Sequence, residues 1–211
     1  MDAVDVEAVK RKLRFDYMKA KTEPPSKTLE LFTHLLSYCS RPQIVVHDLI
    51  QDTANRIQKH FRFRWVMIGL RSQIDGLYRY EVETGMRPEA WARQRTKSYK
   101  LEDFDPNSVG YRAAEISKIT RVYLEEENPL FNEDEQVVNR PVLLRAKRKS
   151  EENTLEADFI DTLIFGPAED LLGWIEYSGT IAGEFPDPMT IRNIEVMAAI
   201  LGVAMSSPAR R

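Results

Sequence analysis

Residues 64–85, RWVMIGLRSQIDGLYRYEVETG, decide the fold of this chain. Apolar residues fill both alternating sets of positions over 65–70, a pattern typical of a strand that is buried on both faces. The Asp-Gly turn signal at Asp75 and the β-rich segment 77–82 predict an antiparallel hairpin. Alternation along the returning strand predicts one apolar face, formed by Tyr78, Tyr80 and Val82.

Helical periodicity precedes the hairpin. Apolar residues recur every three or four positions over 3–20 and 43–60, which predicts a helix in each segment. The segment KTEPPS at 21–26 is predicted to end the first helix, because proline lacks a backbone donor and disfavours a helical residue before it. Ser26 is predicted to cap a second helix. The apolar face of that helix is predicted to consist of Leu29, Phe32, Leu36 and Cys39.

The rest of the chain mixes strands and helices without regular alternation. The predicted elements are a strand at 91–99, a short helix starting near Asn107 or Ser108, a strand ending near Leu124, strands at 159–165 and 171–179, and a final helix that starts at Pro188 and is capped by Asp187. Residues 125–154 are acidic, then basic, then acidic, and are interpreted as an insertion or a long connection. This order favours an α+β fold around one central antiparallel sheet of about five to six strands.

Composition and charge exclude several classes of protein. The 211 residues are 43% hydrophobic, enough for a packed core, and the formal net charge of −3 gives no field that attracts nucleic acid or an anionic membrane. The single cysteine, Cys39, excludes an intramolecular disulfide and a multi-cysteine zinc site. The N-terminus lacks the pattern of a signal peptide, and the longest apolar run, from Val196, is about half of the ~20 residues that cross a bilayer. We expect a soluble, cytoplasmic protein without nucleic-acid or membrane partners.

Four segments carry a resemblance to GAF domains. They are the helix at 43–60 that enters the hairpin, SVGYRAA at 108–114, DFIDTLIFGP at 158–167, and LLGWIEYSG at 171–179 before the final helix. The resemblance divides the chain into an N-terminal helix and linker (1–26), a GAF-like domain (27–207) and a tail (208–211). It implies a GAF/PAS-like sheet with helices on one face and a ligand-type cavity on the other, closed by residues 87–124.

Each chemistry known in GAF domains requires particular residue types at the site. Members that reduce free methionine sulfoxide use several cysteines, and bilin-binding members attach the chromophore near the pocket, whereas Cys39 lies before the first strand. Haem-binding members need an axial ligand, and His34, His47 and His60 all precede the sheet. The segment NPLFNEDE at 128–135 departs from the Asn-Lys…Phe-x-x-x-Asp-Glu signature of cyclic-nucleotide binders, because the Lys is missing and the Phe spacing is short. The residues identify no cofactor.

Aromatic and basic residues of the segment 87–124 form the candidate ligand site. The candidate ligand-binding residues are Trp91, Arg93, Tyr99, Gly110, Tyr111, Arg112 and Tyr123. If 91–99 is extended, Arg93 and Arg95 share a side with the aromatic residues, although the solvent face of an edge strand accounts for both arginines equally well. Gly110 allows a ligand to approach the backbone closely. Apolar walls with a few cations suit an anionic aromatic or carboxylate ligand.

The resemblance implies a cytoplasmic sensory or regulatory module that binds an unidentified small molecule and signals through its terminal helices or a partner protein. The alternative is a ligand-free structural module for dimerisation in a signalling or transcription-regulatory protein. No catalytic constellation is visible, so an enzyme is not expected. A homodimer is predicted from the stripe Ile194, Met197, Leu201 and Met205, from the small residues Ala198, Ala199, Gly202 and Ala204, and from a second stripe at 6–17. Both stripes are also compatible with covering the sheet of their own chain.

Overall fold

The computed structural model describes residues 6–20, 24–41, 43–105, 111–130 and 132–206. The helices are α1 (Val6–Ala20), α2 (Pro24–Cys39), α3 (Val46–Phe61), α4 (Pro88–Gln94) and α5 (Pro188–Ser206). The strands are β1 (Val66–Arg71), β2 (Tyr78–Thr84), β3 (Ala114–Glu115), β4 (Thr120–Tyr123), β5 (Phe159–Phe165) and β6 (Leu171–Tyr177). Short 3₁₀ turns occupy Leu101–Phe104, Asn132–Val137 and Pro141–Leu143. The predicted tail at 208–211 lies outside the described residues.

All six strands form one antiparallel sheet in the order β2-β1-β6-β5-β4-β3. The predicted α+β class with a central antiparallel sheet is therefore confirmed. Strand β1 lies between β2 and β6, and its residues Val66, Met67 and Ile68 are fully buried, as the two-sided apolar pattern predicts. Strand β2 lies at one edge, so the hairpin occupies one side of the sheet.

Helices α3 and α5 pack on one face of the sheet, and α2 packs on both of these helices. Helix α5 is long and apolar enough to cross a membrane by length and composition alone. Its residues Ile194, Met197 and Leu201 are fully buried in the core between the helices and the sheet. The apolar stripe from which a dimer contact was predicted therefore covers the sheet of its own chain.

Helix α5 begins as the sequence predicts. Asp187 accepts a hydrogen bond from the backbone N–H of Thr190 at 2.9 Å and one from its hydroxyl at 2.7 Å, and Pro188 is the first helical residue. The hydrogen bonds from Thr190 hold the pKa of Asp187 below its ordinary value. A depressed carboxyl pKa contributes stability above the unfolded pKa, and this stability is lost as the pH falls through the folded pKa.

The opposite face of the sheet carries a second apolar cluster that is rich in aromatic residues. Its buried members are Trp65, Met67, Tyr78, Tyr80, Leu163, Leu171 and Trp174. Trp91, Tyr99 and Phe104, which follow β2 in the chain, pack against this cluster. These three residues of the segment 87–124 thus lie on the side of the sheet that the resemblance implies.

A bulge in the hairpin corrects the predicted face of β2. Ile68 pairs with Val82, whereas the next residue, Gly69, pairs with Tyr80, so one residue of β2 is left over. An extra residue reverses the side on which the strand presents its side chains. Val82 therefore joins the core under the helices and Tyr80 joins the aromatic cluster. The prediction of one shared face holds for Tyr78 and Tyr80 and was wrong for Val82, since strict alternation assumes a ladder without bulges.

The predicted face of α2 was wrong for Leu29 and Leu36, whereas Phe32 and Cys39 are half-buried and pack against the core. The buried residues are Leu31 and Leu35, whereas Leu29 and Leu36 are exposed. Apolar residues lie on more than one side of this helix, so periodicity left the choice of face to the packing on α3 and α5. The helix begins at Pro24, before the predicted cap, because proline is tolerated in a first turn whose backbone donors have no helical partner.

The predicted strand at 91–99 is replaced by α4. Pro88 occupies the first helical position, where its fixed φ favours a helix, and only Tyr99 pairs as a strand residue, in a bridge to Tyr78. The short helix predicted near residues 107–108 falls partly on 106–110, which lie outside the described residues. The following residues, 111–113, have no regular structure before β3.

Buried carboxylates fasten the predicted insertion to the sheet. Asp158 is fully buried and accepts hydrogen bonds from the backbone N–H groups of Glu125 at 2.8 Å and Leu155 at 2.6 Å. The guanidinium of Arg148 donates to both oxygens of the same carboxylate, at 2.9 and 3.1 Å. Arg148 of the basic run is therefore neutralised by a buried acid that lies just after the predicted insertion.

Candidate functional site

A cavity of about 230 Å³ lies on the aromatic face of the sheet. Its lining comprises Tyr80, Tyr99, Asp103, Phe104, Asp105, Tyr111, Ala113, Tyr123, Asp161, Trp174 and Glu176. Strands β2, β4, β5 and β6 supply the floor, and residues between α4 and β3 supply the wall. A neighbouring cavity of about 60 Å³ shares Tyr80, Tyr99, Tyr111 and Glu176 with it. The two cavities together extend from Ala113 to Gln94 and Lys97.

Two carboxylic acids lie side by side in the floor. Asp161 of β5 is directly opposite Glu176 of β6 in the strand register, so both side chains point to the cavity face. Only 6% of Asp161 and 5% of Glu176 is exposed. Directly opposed like charges repel each other, and buried ionised acids are costly unless they are paired. This acid pair is therefore maintained against a cost in stability.

The surroundings of the acid pair raise the pKa of both members. Burial raises the pKa of Glu176 to about 6, although hydrogen bonds from the hydroxyl of Tyr80 at 2.6 Å and from the indole N–H of Trp174 at 3.4 Å oppose the shift. Burial raises the pKa of Asp161 well above its ordinary value, and the charge of Glu176 raises it further. Both shifts favour the protonated form, so the pair holds a proton to higher pH than two ordinary carboxyl groups do.

A buried arginine accompanies the pair. Arg121 of β4 is opposite Asp161 in the register and is only 7% exposed, and its charge lowers the pKa of Asp161. Its guanidinium donates to the carbonyl of Phe104, whereas its Nε has no hydrogen-bond partner. The Oδ1 of Asp161 is also buried without a partner. A buried polar atom without a partner costs free energy, which a ligand that supplies the missing hydrogen bond recovers.

Aromatic rings surround the acids. Trp174 lies at the centre, with ring centroids 4.9 Å from Tyr80, 5.7 Å from Tyr99 and 5.2 Å from Phe104. Burial raises the pKa of the Tyr99 and Tyr123 hydroxyls, so both groups stay neutral. The cavity is thus lined by aromatic rings and has an acidic floor. Sites for small organic molecules usually combine apolar or aromatic walls with a few polar groups.

Three of the seven predicted site residues line the cavity, namely Tyr99, Tyr111 and Tyr123. Arg93 is exposed on α4, and Trp91 lines a separate groove beside α3 and β2. Arg112 is exposed, and the side chain of Asn128 holds its backbone through hydrogen bonds of 2.7 and 2.8 Å. Gly110 lies outside the described residues.

Sequence reasoning missed the acid pair and Arg121. The available signal was a charged residue inside an otherwise apolar strand, as in FIDTLIF around Asp161 and GWIEY around Glu176. The expected anionic ligand relied on arginines such as Arg93 and Arg112, which the fold places elsewhere. Among the described residues, the cavity lining contains four carboxylates and no basic side chain. This composition argues against an anionic ligand in the cavity.

The histidines and the cysteine lie on the helical side of the molecule. Cys39 is half-buried against the helix-side core, His34 binds Asp52 at 2.8 Å, and His60 binds Thr28 at 2.9 Å. In the part of the chain that the structure describes, no three His, Cys, Asp or Glu side chains are arranged to hold a metal ion.

No family model and no curated protein sequence matches the chain. Among solved structures, it is similar to the GAF domain of phosphoenolpyruvate-protein phosphotransferase from Acinetobacter, with 10% identity and a TM-score of 0.53 over 84% of this chain and 92% of that one. A phycoerythrobilin-bound GAF domain from a cyanobacterial phytochrome matches with 11% identity and a TM-score of 0.53 over 85% and 94%. Reduced fRMsr of Staphylococcus aureus matches with 10% identity and a TM-score of 0.51 over 85% and 95%. At such identities the likeness establishes the fold alone.

Proposed function

Because the chain has the fold of a GAF domain, we propose that it is a sensory or regulatory module that binds a small molecule in the cavity beside its sheet. GAF domains commonly act in sensing and regulation. One observation carries the proposal: the unpartnered Oδ1 of Asp161 in the floor of an aromatic cavity. Most buried side-chain oxygens in folded proteins have a hydrogen-bond partner, so an unpartnered oxygen in a cavity floor favours a ligand that supplies the missing donor.

The size of the cavity limits the ligand. A volume of about 230 Å³ lies below the roughly 300–1,000 Å³ of sites for drug-sized molecules. We therefore propose a ligand of about the size of a substituted benzene ring, and we propose binding rather than catalysis. The two carboxyl groups interact directly with each other, and the cavity lining includes no histidine, cysteine, serine or lysine among the described residues.

A binding measurement tests this proposal. Protein purified under native conditions is expected to carry a small molecule in native mass spectrometry, or to acquire one from a fragment library by ligand-observed NMR. The variant Ala113→Leu, which places a larger side chain at the cavity wall, should reduce binding at least tenfold, whereas Ala114→Leu at its exposed neighbour should not. Binding that Ala113→Leu leaves unchanged, or no binding by any fragment, would contradict the proposal.

The outer faces of α2 and α5 support a second role, dimerisation or docking of a signalling partner in the cytoplasm. Leu29 and Leu36 of α2 and Val196 and Val203 of α5 are exposed, and the two helices pack together. We propose that these residues, rather than the buried stripe of α5, form the contact of a homodimer. Exposed apolar side chains on two adjoining helices offer the apolar area that protein contacts use.

Light scattering at micromolar concentration is expected to give twice the mass of one chain. The double variant V196D/V203D should restore a monomer, because a carboxylate buried in an apolar contact remains unpaired. Ile181→Asp, at an exposed apolar residue outside the helices, should leave the mass unchanged. A monomer mass for the unmodified protein would exclude the dimer.

A further inference from the structure

We propose that the ligand of this cavity is a small organic cation with an N–H donor, such as a primary ammonium group attached to an apolar body. This inference rests on the proposed function and specifies the chemical class of the ligand. The cationic nitrogen would bind at the acid pair of Asp161 and Glu176, and the apolar body would lie among the aromatic rings.

The hydrogen-bonding capacity of the floor favours a donor. The Oδ1 of Asp161 is an acceptor without a partner. Glu176 already accepts from Tyr80 and Trp174 through Oε2, which fixes its position. A ligand N–H group that reaches Asp161 would therefore satisfy the one carboxyl oxygen in the floor that is buried and unpaired. Hydrogen bonds between ionised groups are about twice as strong as neutral ones.

The charges around the floor favour a cation. The acids that face the cavity are Asp161 and Glu176 in the floor and Asp103 and Asp105 at the wall. The opposing positive groups are Arg121, which acts on Asp161, and Lys97, which acts on Glu176. The facing tyrosines, Tyr80, Tyr99, Tyr111 and Tyr123, complete the set of titratable groups. The four carboxylates that face the cavity outnumber these two positively charged side chains. A proton held by Asp161 and Glu176 offsets part of the excess negative charge.

An organic cation can take the place of that proton. Its binding would leave both acids ionised and release the proton to solvent, which links affinity to pH. Burial raises the pKa of Glu176 to about 6 and the pKa of Asp161 well above its ordinary value, so affinity should rise with pH from about 6 until the pair has lost its last proton. The aromatic walls add to the attraction, because the faces of Trp and Tyr rings attract cations.

A metal ion is a poorer fit than an organic cation. Divalent ions such as Ca²⁺ and Mg²⁺ take about six or more oxygen ligands, and no cluster of three candidate ligands is present in the described part of the chain. An ammonium group on an apolar body uses both the acids and the rings.

Three probes of similar size separate the charge classes: benzylamine as the cation, benzyl alcohol as the neutral compound and benzoate as the anion. Isothermal titration calorimetry at pH 7.5, supported by the fluorescence of Trp174 and the other tryptophans, measures their affinities. Benzylamine is expected to bind at least tenfold more tightly than benzyl alcohol, and benzoate is expected not to bind. The heat of benzylamine binding should depend on the ionisation enthalpy of the buffer, because binding releases a proton from the acid pair.

Two variants identify the floor as the site. Asp161→Asn and Glu176→Gln keep the shape of the side chain and remove its charge, so each should weaken benzylamine about 10- to 150-fold. Asp48→Asn, at an exposed acid of α3, is the control and should not change the affinity. Because both floor acids have raised pKa values, neither floor variant should unfold more readily at pH 7.5 than the unmodified protein, whereas a structural role predicts that both do.

The outcomes distinguish a failure of the cation inference from a failure of the proposed ligand-binding function. Binding of benzoate or benzyl alcohol that equals or exceeds that of benzylamine would show that the cavity binds ligands and that the cation assignment is wrong. Benzylamine binding that neither floor variant weakens would place the cation elsewhere and overturn the inference. If no probe of any charge binds at millimolar concentration and the fragment screen also fails, both the inference and the proposed function are contradicted.

Discussion

Asp158→Asn is expected to lower the free energy of unfolding by about 3–5 kcal/mol, the usual cost of breaking a buried ion pair. The carboxylate is 0% exposed and accepts hydrogen bonds from two backbone N–H groups and from Arg148. An amide in its place presents a donor to other donors and leaves the guanidinium without its buried partner. Chemical denaturation at pH 7 measures the loss.

Asp75→Asn is the matched control. Asp75 also binds an arginine, Arg79, at 2.7 Å, but this pair lies at the exposed hairpin turn. Exposed pairs contribute little, because water screens the charges. We therefore expect no comparable loss of stability. Equal effects of the two substitutions would show that Asp158 does not anchor the 125–154 segment.

Gly202→Ala is expected to destabilise the protein by about 1–3 kcal/mol, the cost of overpacking a close contact. Helix propensity alone predicts the opposite, a gain of about 1 kcal/mol from replacing glycine inside a helix. A Cβ at this position would lie 2.1 Å from the carbonyl oxygen of Phe165. The backbone of Phe165 cannot move aside as a flexible side chain can, so the added Cβ would increase the distance between α5 and β5.

Lys59→Ala, at an exposed residue of α3, provides the comparison. Lys59 lies outside the proposed dimer contact, so the substitution should change the free energy of unfolding by less than about 0.5 kcal/mol. Thermal and denaturant unfolding of both variants separate helix propensity from packing. A stabilised Gly202→Ala variant would show that α5 does not approach β5 as closely as the structure has it.

The sequence predicted the framework of the fold because burial leaves a direct signal in it. β1 is apolar on both sides and is an inner strand, and Asp187 and Pro188 mark the start of α5. The segment 91–99 was misread because alternation over so few residues does not exclude a short helix, and Pro88 at the first helical position favours one. The bulge in β2 could not be predicted, because no residue in this strand is of a type that requires a bulge.

The candidate site was only partly predictable. Tyr99, Tyr111 and Tyr123 follow from their place in the segment opposite the helices. Asp161 and Glu176 are separated by a turn, and only the register of β5 and β6 brings them together. Local periodicity contains no information on which residues of two strands become direct neighbours. The acidic floor therefore could not be predicted before the register of the sheet was known.

The position of bound benzylamine tests the central claim most directly. In a crystal structure of the complex, the amine nitrogen is predicted to lie within hydrogen-bond distance, about 2.7–3.2 Å, of Oδ1 of Asp161. The ring is predicted to contact Tyr99 and Trp174. An empty cavity at a saturating concentration, or benzylamine bound on the outer face of α2 and α5, would contradict the claim that this cavity is the ligand site.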